Sequence, residues 1–239
     1  MPPANHELLL LHGAGLGAWI WNTTKSRLTV SAQAVDLPGR SDGANPGSVT
    51  LQDCVDHLVT LLHAADAPPI IVAHSFSAQI ALIAASQHPE RVRAMVLVGG
   101  IVPESGKSFL ATLPFPARLV LGVVIRLSRR GVRLPRSAVA KEYCSDLDEA
   151  TTQMVLDRVS PEVPRLYLDP VHWQRIPAHI PLIYIKLLDD RSILPSKQDE
   201  IVRRVHATRV ETVQGGHLAM LSRPADMAAT LSRIATQLS

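Results

Sequence analysis

The stretch IIVAHSFSAQ, residues 70–79, joins a continuous apolar run to a segment with helical character, and Ser75 stands between the two. This pattern predicts a buried strand, a sharp turn and a helix. A serine at such a turn has a strained backbone that pushes its hydroxyl above the sheet. The turn requires small residues two positions before and after the serine, and Ala73 and Ser77 are small although neither is glycine. Ser75 is therefore a candidate nucleophile, with a plain helix N-cap as the alternative.

Short apolar runs and helical patterns alternate on both sides of this stretch. The predicted strands are 8–11, 33–36, 69–73, 94–98, 182–187 and 209–213. The predicted helices between and after them are 51–65, 78–87, 196–205 and 223–238. Continuous apolar strands separated by helices indicate an α/β fold with a mostly parallel sheet and helices on both faces. Such sheets carry their functional sites at the carboxyl ends of the strands.

The alternation breaks between residues 102 and 178, where prolines are frequent. Helical patterns occur at 117–128 and 147–159, but no convincing strand occurs there. We interpret this segment as an inserted helical cap. The sequence thus predicts one domain, in which residues 1–101 and 179–239 form the core and residues 102–178 form the cap.

A serine nucleophile needs a base that takes its proton, and His217 is the best-placed histidine. It follows the last predicted strand after two glycines, which give a loop that can swing the ring over the sheet. The imidazole in turn needs a carboxylate that holds its tautomer. Asp189 and Asp190 both follow the preceding strand, and Glu104 is a minor rival. His74 adjoins the serine, but its side chain would leave the turn in another direction.

The stretch HGAGLG, residues 12–17, follows the first predicted strand. Acyl transfer creates an oxyanion, which needs preorganised backbone N–H groups. The residue after the nucleophile, Phe76, would supply one of them, and Ala14 the other, with Gly13 allowing close approach of the backbone. A plain turn is the alternative. A phosphate-binding loop is disfavoured, because the glycine spacing fits neither the P-loop nor the dinucleotide pattern.

Four segments together resemble the α/β-hydrolase superfamily. Within it, they are most similar to the branch of small plant-type methylesterases and hydroxynitrile lyases that also holds many bacterial esterases. The segments are HGAGLGAWIW (12–21), DLPG (36–39), DRSILPSKQ (190–198) and GHLAMLSRP (216–224). The third aligns with the acid segment of the family, and this alignment selects Asp190 over Asp189. The resemblance covers about residues 6–103 and 178–238, and the chain departs from it at the turn, where Ala73 and Ser77 replace glycines.

The resemblance implies an α/β-hydrolase fold and a serine esterase (carboxylesterase) that cleaves an ester, lactone or thioester through an acyl-enzyme. Its triad would be Ser75, His217 and Asp190, and no metal or organic cofactor is expected. Lyases of the branch have Lys after the catalytic His, and Thr where esterases have Gly after the first His. This chain has Leu218 and Gly13 there, which favours hydrolysis. A cofactor-free lyase, a C–C bond hydrolase and a non-catalytic binding module on the same scaffold remain alternatives.

The cap is expected to roof the pocket and to favour a small-molecule ester with an apolar part. The substrate-binding candidates are Gly13, Gly15, Phe109, Leu113, Phe115, Tyr167, Trp173 and Leu218, with Leu110 and Leu119 as further lining candidates. For the cap residues among them, plain core packing is the alternative. The chain leaves open whether it acts as a monomer or as a homodimer.

Composition restricts the partners and the compartment. The formal net charge of +3 is mild, and the arginine run at 126–136 has no interleaved aromatics, so we predict a solvated face and no nucleic-acid binding. The two cysteines form no CxxC pair, which favours a reducing compartment. The longest apolar run of the cap, 119–125, is too short for a membrane span, and residues 1–13 lack a signal-peptide pattern. A soluble, cytoplasmic protein is expected.

Overall fold

A computed structural model describes residues 7–40 and 43–238 of the chain. Over these residues, the strands are β1 (Leu8–Leu11), β2 (Ala32–Val35), β3 (Ile70–His74), β4 (Ala94–Val98), β5 (Leu182–Leu187) and β6 (Arg209–Val213). They form one sheet in the order β2-β1-β3-β4-β5-β6, and each neighbouring pair is parallel. The predicted parallel sheet is thereby confirmed. Residues 1–6, 41–42 and 239 of the predicted core lie outside the described part of the chain.

Burial along the strands follows their place in the sheet. Every residue of β1, β3 and β4 is buried, as expected for strands covered on both faces. The edge strands β2 (AQAV) and β6 (RVETV) carry polar residues among their apolar ones and are only partly buried. Polar and charged side chains on these strands protect the two open edges against pairing with another chain.

Helices cover both faces of the sheet. They are α1 (Asn22–Lys25), α2 (Leu51–Ala64), α3 (Ser77–Gln87), α4 (Ala117–Leu127), α5 (Arg136–Ala138), α6 (Glu149–Arg158), α7 (Arg165–Leu168), α8 (Pro195–Arg204), α9 (Ala219–Ser222) and α10 (Pro224–Gln237). Short 3₁₀ turns lie at Ala18–Trp21, Pro46–Ser48, Pro89–Arg91 and Leu110–Thr112, and a π-helical turn at Val139–Tyr143. Alternate strand residues pack against α2, α3 and α8 on one face and against α9 and α10 on the other.

Local sequence signals fix the start of α2. The Thr50 hydroxyl accepts a hydrogen bond from the Asp53 N–H at 3.0 Å, and the Asp53 carboxylate accepts one from the Thr50 N–H at 2.8 Å. This reciprocal pair is a capping box, which satisfies two backbone donors at the helix start.

Helices and turns fill the segment between β4 and β5. In the described part of that segment, the only β pairing is an isolated antiparallel bridge between Val132 and Glu162. None of the helices in the described ranges combines the length and the hydropathy that a membrane crossing requires.

The strand order places one crevice at the carboxyl edge of the sheet. The chain leaves β1 for β2 on one side and returns as β3 on the other side of β1. The loops after β1 and β3 therefore diverge, and a crevice opens at this topological switch point. The backbone after Leu11 and the turn after His74 lie next to each other there.

Candidate active site

The turn after β3 holds Ser75 in a left-handed conformation. Its φ is 53°, a value that a non-glycine residue rarely adopts, and its side chain is buried except for about 5% of the residue surface. The Ser75 N–H donates to the Val98 carbonyl at 3.0 Å, and its own carbonyl accepts from the Ala78 and Ile101 N–H groups. These bonds hold the strained turn in place. α3 begins at Ser77 and receives no side-chain cap, so Ser75 does not act as its N-cap.

The loop after β1 packs closely against the turn and leaves no room for a side chain at residue 13. A Cβ atom on Gly13 would lie 2.8 Å from the His74 ring and 3.0 Å from the Ser75 Cβ. The loop after β1 therefore packs directly against the side chains of His74 and Ser75. Ser77 replaces the usual glycine at no polar cost, because its hydroxyl donates to the His74 carbonyl at 2.9 Å.

Asp190 and His217 form a buried pair. The His217 Nδ1 lies 2.9 Å from the Asp190 Oδ2, and the exposed fractions of the two residues are 0% and 2%. The Asp190 Oδ1 accepts hydrogen bonds from the Ser192 and Ile193 N–H groups at 2.8 and 2.9 Å. Because the carboxylate accepts from Nδ1, the neutral imidazole keeps its lone pair on Nε2. That nitrogen has no hydrogen-bond partner among the described residues, the Ser75 hydroxyl included.

The rival carboxylates face away from the histidine. The Asp189 carboxylate is exposed and accepts from the Gln214 side-chain amide at 2.8 Å through both oxygens. Glu104 is exposed and pairs with Lys107 at 2.5 Å. The structure therefore brings Asp190, and neither rival, to His217.

Three side chains hold the His217 loop, and sequence reasoning gave none of them this role. The His74 Nε2–H donates to the His217 carbonyl at 2.9 Å, and the two ring centroids are 4.8 Å apart. The Tyr143 ring lies 4.8 Å from the imidazole centroid, and the Asp146 carboxylate accepts from the Gly216 N–H at 2.6 Å. Burial, with the nearby imidazole, lowers the pKa of His74 well below its ordinary value, so His74 is a neutral donor.

The loop after β1 is fixed on both sides of Ala14. The His12 Nδ1–H donates to the Gly13 carbonyl at 2.9 Å, and its Nε2 accepts from the Leu37 N–H at 3.1 Å. The Gly15 N–H donates to the Glu162 carboxylate at 2.8 Å. The backbone N–H of Ala14 is hydrogen-bonded to no described residue, and the same holds for Phe76. Ala14 and Phe76 both line the cavity beside Ser75.

A buried ion pair supports this loop from the segment between β4 and β5. Glu162 is 2% exposed and pairs with the Arg40 guanidinium, which also donates to the Pro161 carbonyl at 2.6 Å. Neither residue stood out in the sequence, because Glu162 lies in the proline-rich segment, where no motif gives its partner. Their contact depends on how the segment between β4 and β5 packs against the rest of the chain.

His12 makes stability depend on pH. Burial, reinforced by the Arg40 charge, lowers the pKa of His12 from its ordinary value to about 4. The pKa of a histidine in the unfolded chain is about 6.5. When folding lowers this pKa, the free energy of unfolding decreases as the pH falls below about 6.5, because the unfolded chain then binds a proton that the folded chain does not. We expect His12 to lower the free energy of unfolding by about 2 kcal/mol between about pH 7.5 and about pH 5.

Urea unfolding of the wild type and of His12→Asn at the two pH values measures this share. The variant removes the His12 titration and keeps that of every other group. We expect the pH-dependent loss of stability to be smaller in the variant by about 2 kcal/mol. An equal loss in both proteins would show that His12 titrates normally in the fold.

A cavity of about 290 Å³ opens beside Ser75. Most of its surface is apolar. It is lined by Ala14, Ser75, Phe76, Ile101, Phe109, Leu113, Leu121, Leu134, Ala138, Val139, Glu142, Tyr143, Tyr167, Ser192 and Ile193. The rings of Phe76, Phe109 and Tyr167 pack together in it, with centroids 4.6 to 5.6 Å apart. The cavity suits an apolar group bound next to the serine hydroxyl.

Of the residues predicted to line the pocket, the structure places Phe109, Leu113 and Tyr167 there. Gly13 and Gly15 contribute backbone around Ala14 rather than cavity wall. Phe115 and Leu119 do not line the cavity, because they are 70% and 55% exposed on the outer surface of the segment between β4 and β5.

Three more predicted lining residues lie elsewhere. The Trp173 indole N–H donates to the Pro103 carbonyl at 3.1 Å, which holds the ring in a separate crevice. Leu218 is fully buried in the core on the α10 face, and Leu110 packs against Gly122 beneath α4. Position along the chain could not show which way the side chains of residues 102–178 point.

Other reactive groups lie away from this crevice. Burial raises the pKa of Cys54 to about 12 and of Cys144 to about 11, so both remain thiols. Among the described residues, one group could hold a metal ion, namely His63, His88 and Glu90. It lies at the opposite end of α3 from Ser75.

The sequence model of a protein family, described as "Alpha/beta hydrolase family", matches residues 8–230 of the chain. The chain belongs to the alpha/beta hydrolase family. The α/β-hydrolase fold and the family resemblance predicted from the sequence are therefore confirmed.

Curated relatives of this alpha/beta hydrolase include enzymes with different names. It is 35% identical over 108 residues to norfluorocurarine synthase 2 of Strychnos nux-vomica, which is 41% of this chain and 40% of that one. It is 34% identical over 96 residues to the pimeloyl-[acyl-carrier protein] methyl ester esterase of Citrobacter koseri, which is 39% of this chain and 36% of that one. The match spans about two fifths of the length of these relatives.

Solved structures resemble this alpha/beta hydrolase over almost its whole length. An extracellular alpha/beta-hydrolase from a Paenibacillus species has a TM-score of 0.80 at 20% identity, covering 95% of this chain and 97% of that one. A methylesterase protein from Arabidopsis has a TM-score of 0.79 at 18% identity, covering 96% and 99%. At these identities the likeness shows the fold alone.

Proposed function

We propose that this chain is a serine hydrolase that cleaves carboxylic esters. Ser75 would be the nucleophile, His217 the general base and Asp190 the carboxylate that orients it. The observation that carries the proposal is the buried Asp190–His217 pair, whose Nε2 is left with a free lone pair at the edge where Ser75 lies. The esterase names of several relatives support the same reaction.

The residues suggest the following steps. Ser75 Oγ attacks the ester carbonyl carbon while its proton passes to His217 Nε2, and the Asp190 carboxylate stabilises the imidazolium. The imidazolium then protonates the leaving alkoxide, and an acyl-enzyme remains on Ser75. Water repeats the attack with the same base and releases the acid. In the free enzyme such hydrogen bonds are often long, and they close when substrate binds, which accounts for the open Nε2 here.

The open backbone N–H groups of Ala14 and Phe76 would bind the oxyanion. Both residues line the cavity next to Ser75, and neither N–H is hydrogen-bonded to a described residue. Donors that are free before the reaction and fixed in place need no reorganisation when negative charge develops. The bonds that His12 and Glu162 make around Ala14 supply this rigidity.

The substrate would be a small ester or lactone with an apolar part. The cavity of about 290 Å³ is at the small end of ligand pockets and is mainly apolar. We propose that residues 102–178 act as its cap, because Phe109, Leu121 and Tyr167 of this segment form part of the wall.

A fluorophosphonate probe combined with turnover assays tests this function. We expect the native protein to hydrolyse p-nitrophenyl esters and to be labelled at Ser75, which peptide mass spectrometry would locate. Heat-denatured protein is the control and should not be labelled, since labelling requires the assembled base. Labelling at another residue, or cleavage of a cyanohydrin without ester hydrolysis, would contradict the proposal.

A further inference from the structure

The outer side of α4 exposes an unusual concentration of apolar side chains. Their spacing along α4 places them on one side of the helix, and each of these side chains is more than half exposed. We define the apolar face of α4 as Leu119, Val120, Val123, Val124 and Leu127, together with Phe115 just before the helix. An exposed patch of this kind marks an interaction site in a soluble fold.

The opposite side of the helix is already used. Ile125 is 1% exposed, Leu121 lines the cavity, and Gly122 packs against Leu110. The inner side of α4 is therefore covered by the rest of the cap, and the apolar face of α4 is a second, separate surface. It lies on the outside of the cavity wall.

The segment that carries this surface has an excess of positive charge, of which only Lys107 and Arg136 form ion pairs among the described residues, with Glu104 and Asp157. Residues 105–141 contain eight Lys and Arg residues and no Asp or Glu, whereas the rest of the chain has 16 basic and 21 acidic residues. Five arginines near the face are exposed and have no described carboxylate within ion-pair distance, namely Arg118, Arg126, Arg129, Arg130 and Arg133. The chain is thus polarised, with its positive end at α4.

We propose that the apolar face of α4 and the surrounding arginines dock this protein on an anionic membrane surface. A helix with one apolar side and basic residues beside it inserts at the boundary of headgroups and acyl chains, and anionic lipid adds attraction for each nearby arginine. A second copy of the chain fits less well, because a two-fold contact through this surface would bring the two sets of arginines together. Docking in this way turns the cavity wall towards the bilayer.

The consequence for the site rests on the proposed function. Leu121 of α4 and Leu113 just before it line the cavity, so a docked cap would connect the acyl region of the membrane to the pocket. The substrate class that this arrangement favours is an apolar ester dissolved in the bilayer. Vesicle binding itself requires no turnover, so it can be tested independently of the hydrolase assignment.

Co-sedimentation with vesicles tests the docking. We expect the protein to bind vesicles of phosphatidylcholine with about 30% phosphatidylglycerol far more strongly than pure phosphatidylcholine vesicles, and less strongly as salt is raised. Each arginine near the surface should contribute about fivefold, so Arg129→Ala with Arg130→Ala should weaken the partition about 25-fold. Leu127→Gln should weaken it about tenfold, because burial of that side chain is lost.

Leu194→Gln, and the double change Arg27→Ala with Arg203→Ala, are the matched controls, because they make the same changes on exposed residues outside the cap. We expect both to bind like the wild type. Equal binding to neutral and anionic vesicles, or no loss in the arginine variant, would overturn the proposal. A dimer in light scattering that Leu127→Gln dissociates would also overturn it, since the face would then be covered by a second copy.

Discussion

Ser75→Ala is expected to lower kcat/KM for p-nitrophenyl esters on the order of 10³-fold or more. The substitution removes the attacking oxygen, and water must then react without forming an acyl-enzyme. The open N–H groups of Ala14 and Phe76 remain, so a residual activity above the uncatalysed rate should persist. Steady-state hydrolysis with purified variants measures the change.

Stability should be nearly unaffected by this substitution, which separates lost chemistry from lost structure. The Ser75 hydroxyl is hydrogen-bonded to no described residue, and alanine meets the same left-handed backbone geometry as serine. We expect the melting temperature of Ser75→Ala to lie within a few degrees of the wild type. Ser86→Ala is the matched control at the far end of α3, where the hydroxyl donates to the Ile83 carbonyl, and its activity should match the wild type. Equal activity of Ser75→Ala and wild type would end the serine hydrolase assignment.

The sheet and the residues at its carboxyl edge were accessible to sequence reasoning for a physical reason. Buried parallel strands appear in a sequence as continuous apolar runs, such as the LLLL of β1 and the AMVLV of β4. The residue at which each run ends can be recognised from the neighbouring residues alone. The candidates Ser75 and His217 follow from these ends, whereas Asp189 and Asp190 both follow β5 and only the family resemblance selected Asp190. Even the substitution of Ser77 for glycine was interpretable as a size requirement.

The supporting contacts were not accessible, because they join distant segments. Glu162 reaches Gly15 across 147 positions, and Asp146 reaches Gly216 across 70. No local pattern contains such a contact. The orientation of α4 was hidden for a related reason: its inner side holds Leu121 and Ile125, and only tertiary packing decides that Leu119 and Val123 face outwards.

The prediction for the arginine run was incomplete, because it considered charge alone. A solvated face was the simplest reading of residues 126–136, and their exposure agrees with it. The structure adds that the same surface carries an apolar helix side. A surface that combines exposed basic and apolar side chains predicts binding to an anionic membrane, whereas a surface with charged side chains alone does not.

Asp190→Asn is expected to lower kcat about 10⁴-fold, although the residue touches no substrate. The Asp190 Oδ1 accepts from two backbone N–H groups, at 2.8 and 2.9 Å. In the variant the amide oxygen must take that place, because the amide nitrogen cannot accept. The amide NH₂ then points at the His217 Nδ1, which has to become the acceptor. The imidazole proton moves to Nε2, and this nitrogen, which is the base in the proposed mechanism, can no longer take a proton.

Asp189→Asn provides the matched control for this tautomer argument. It is the same change one residue earlier, on an exposed carboxylate that binds only the Gln214 amide at 2.8 Å. We expect its kcat to stay within about twofold of wild type, as for an exposed substitution away from the site. NMR of the His217 ring should show the proton on Nδ1 in wild type and on Nε2 in Asp190→Asn. Equal losses in the two variants, or an unchanged tautomer in Asp190→Asn, would remove Asp190 from the proposed triad.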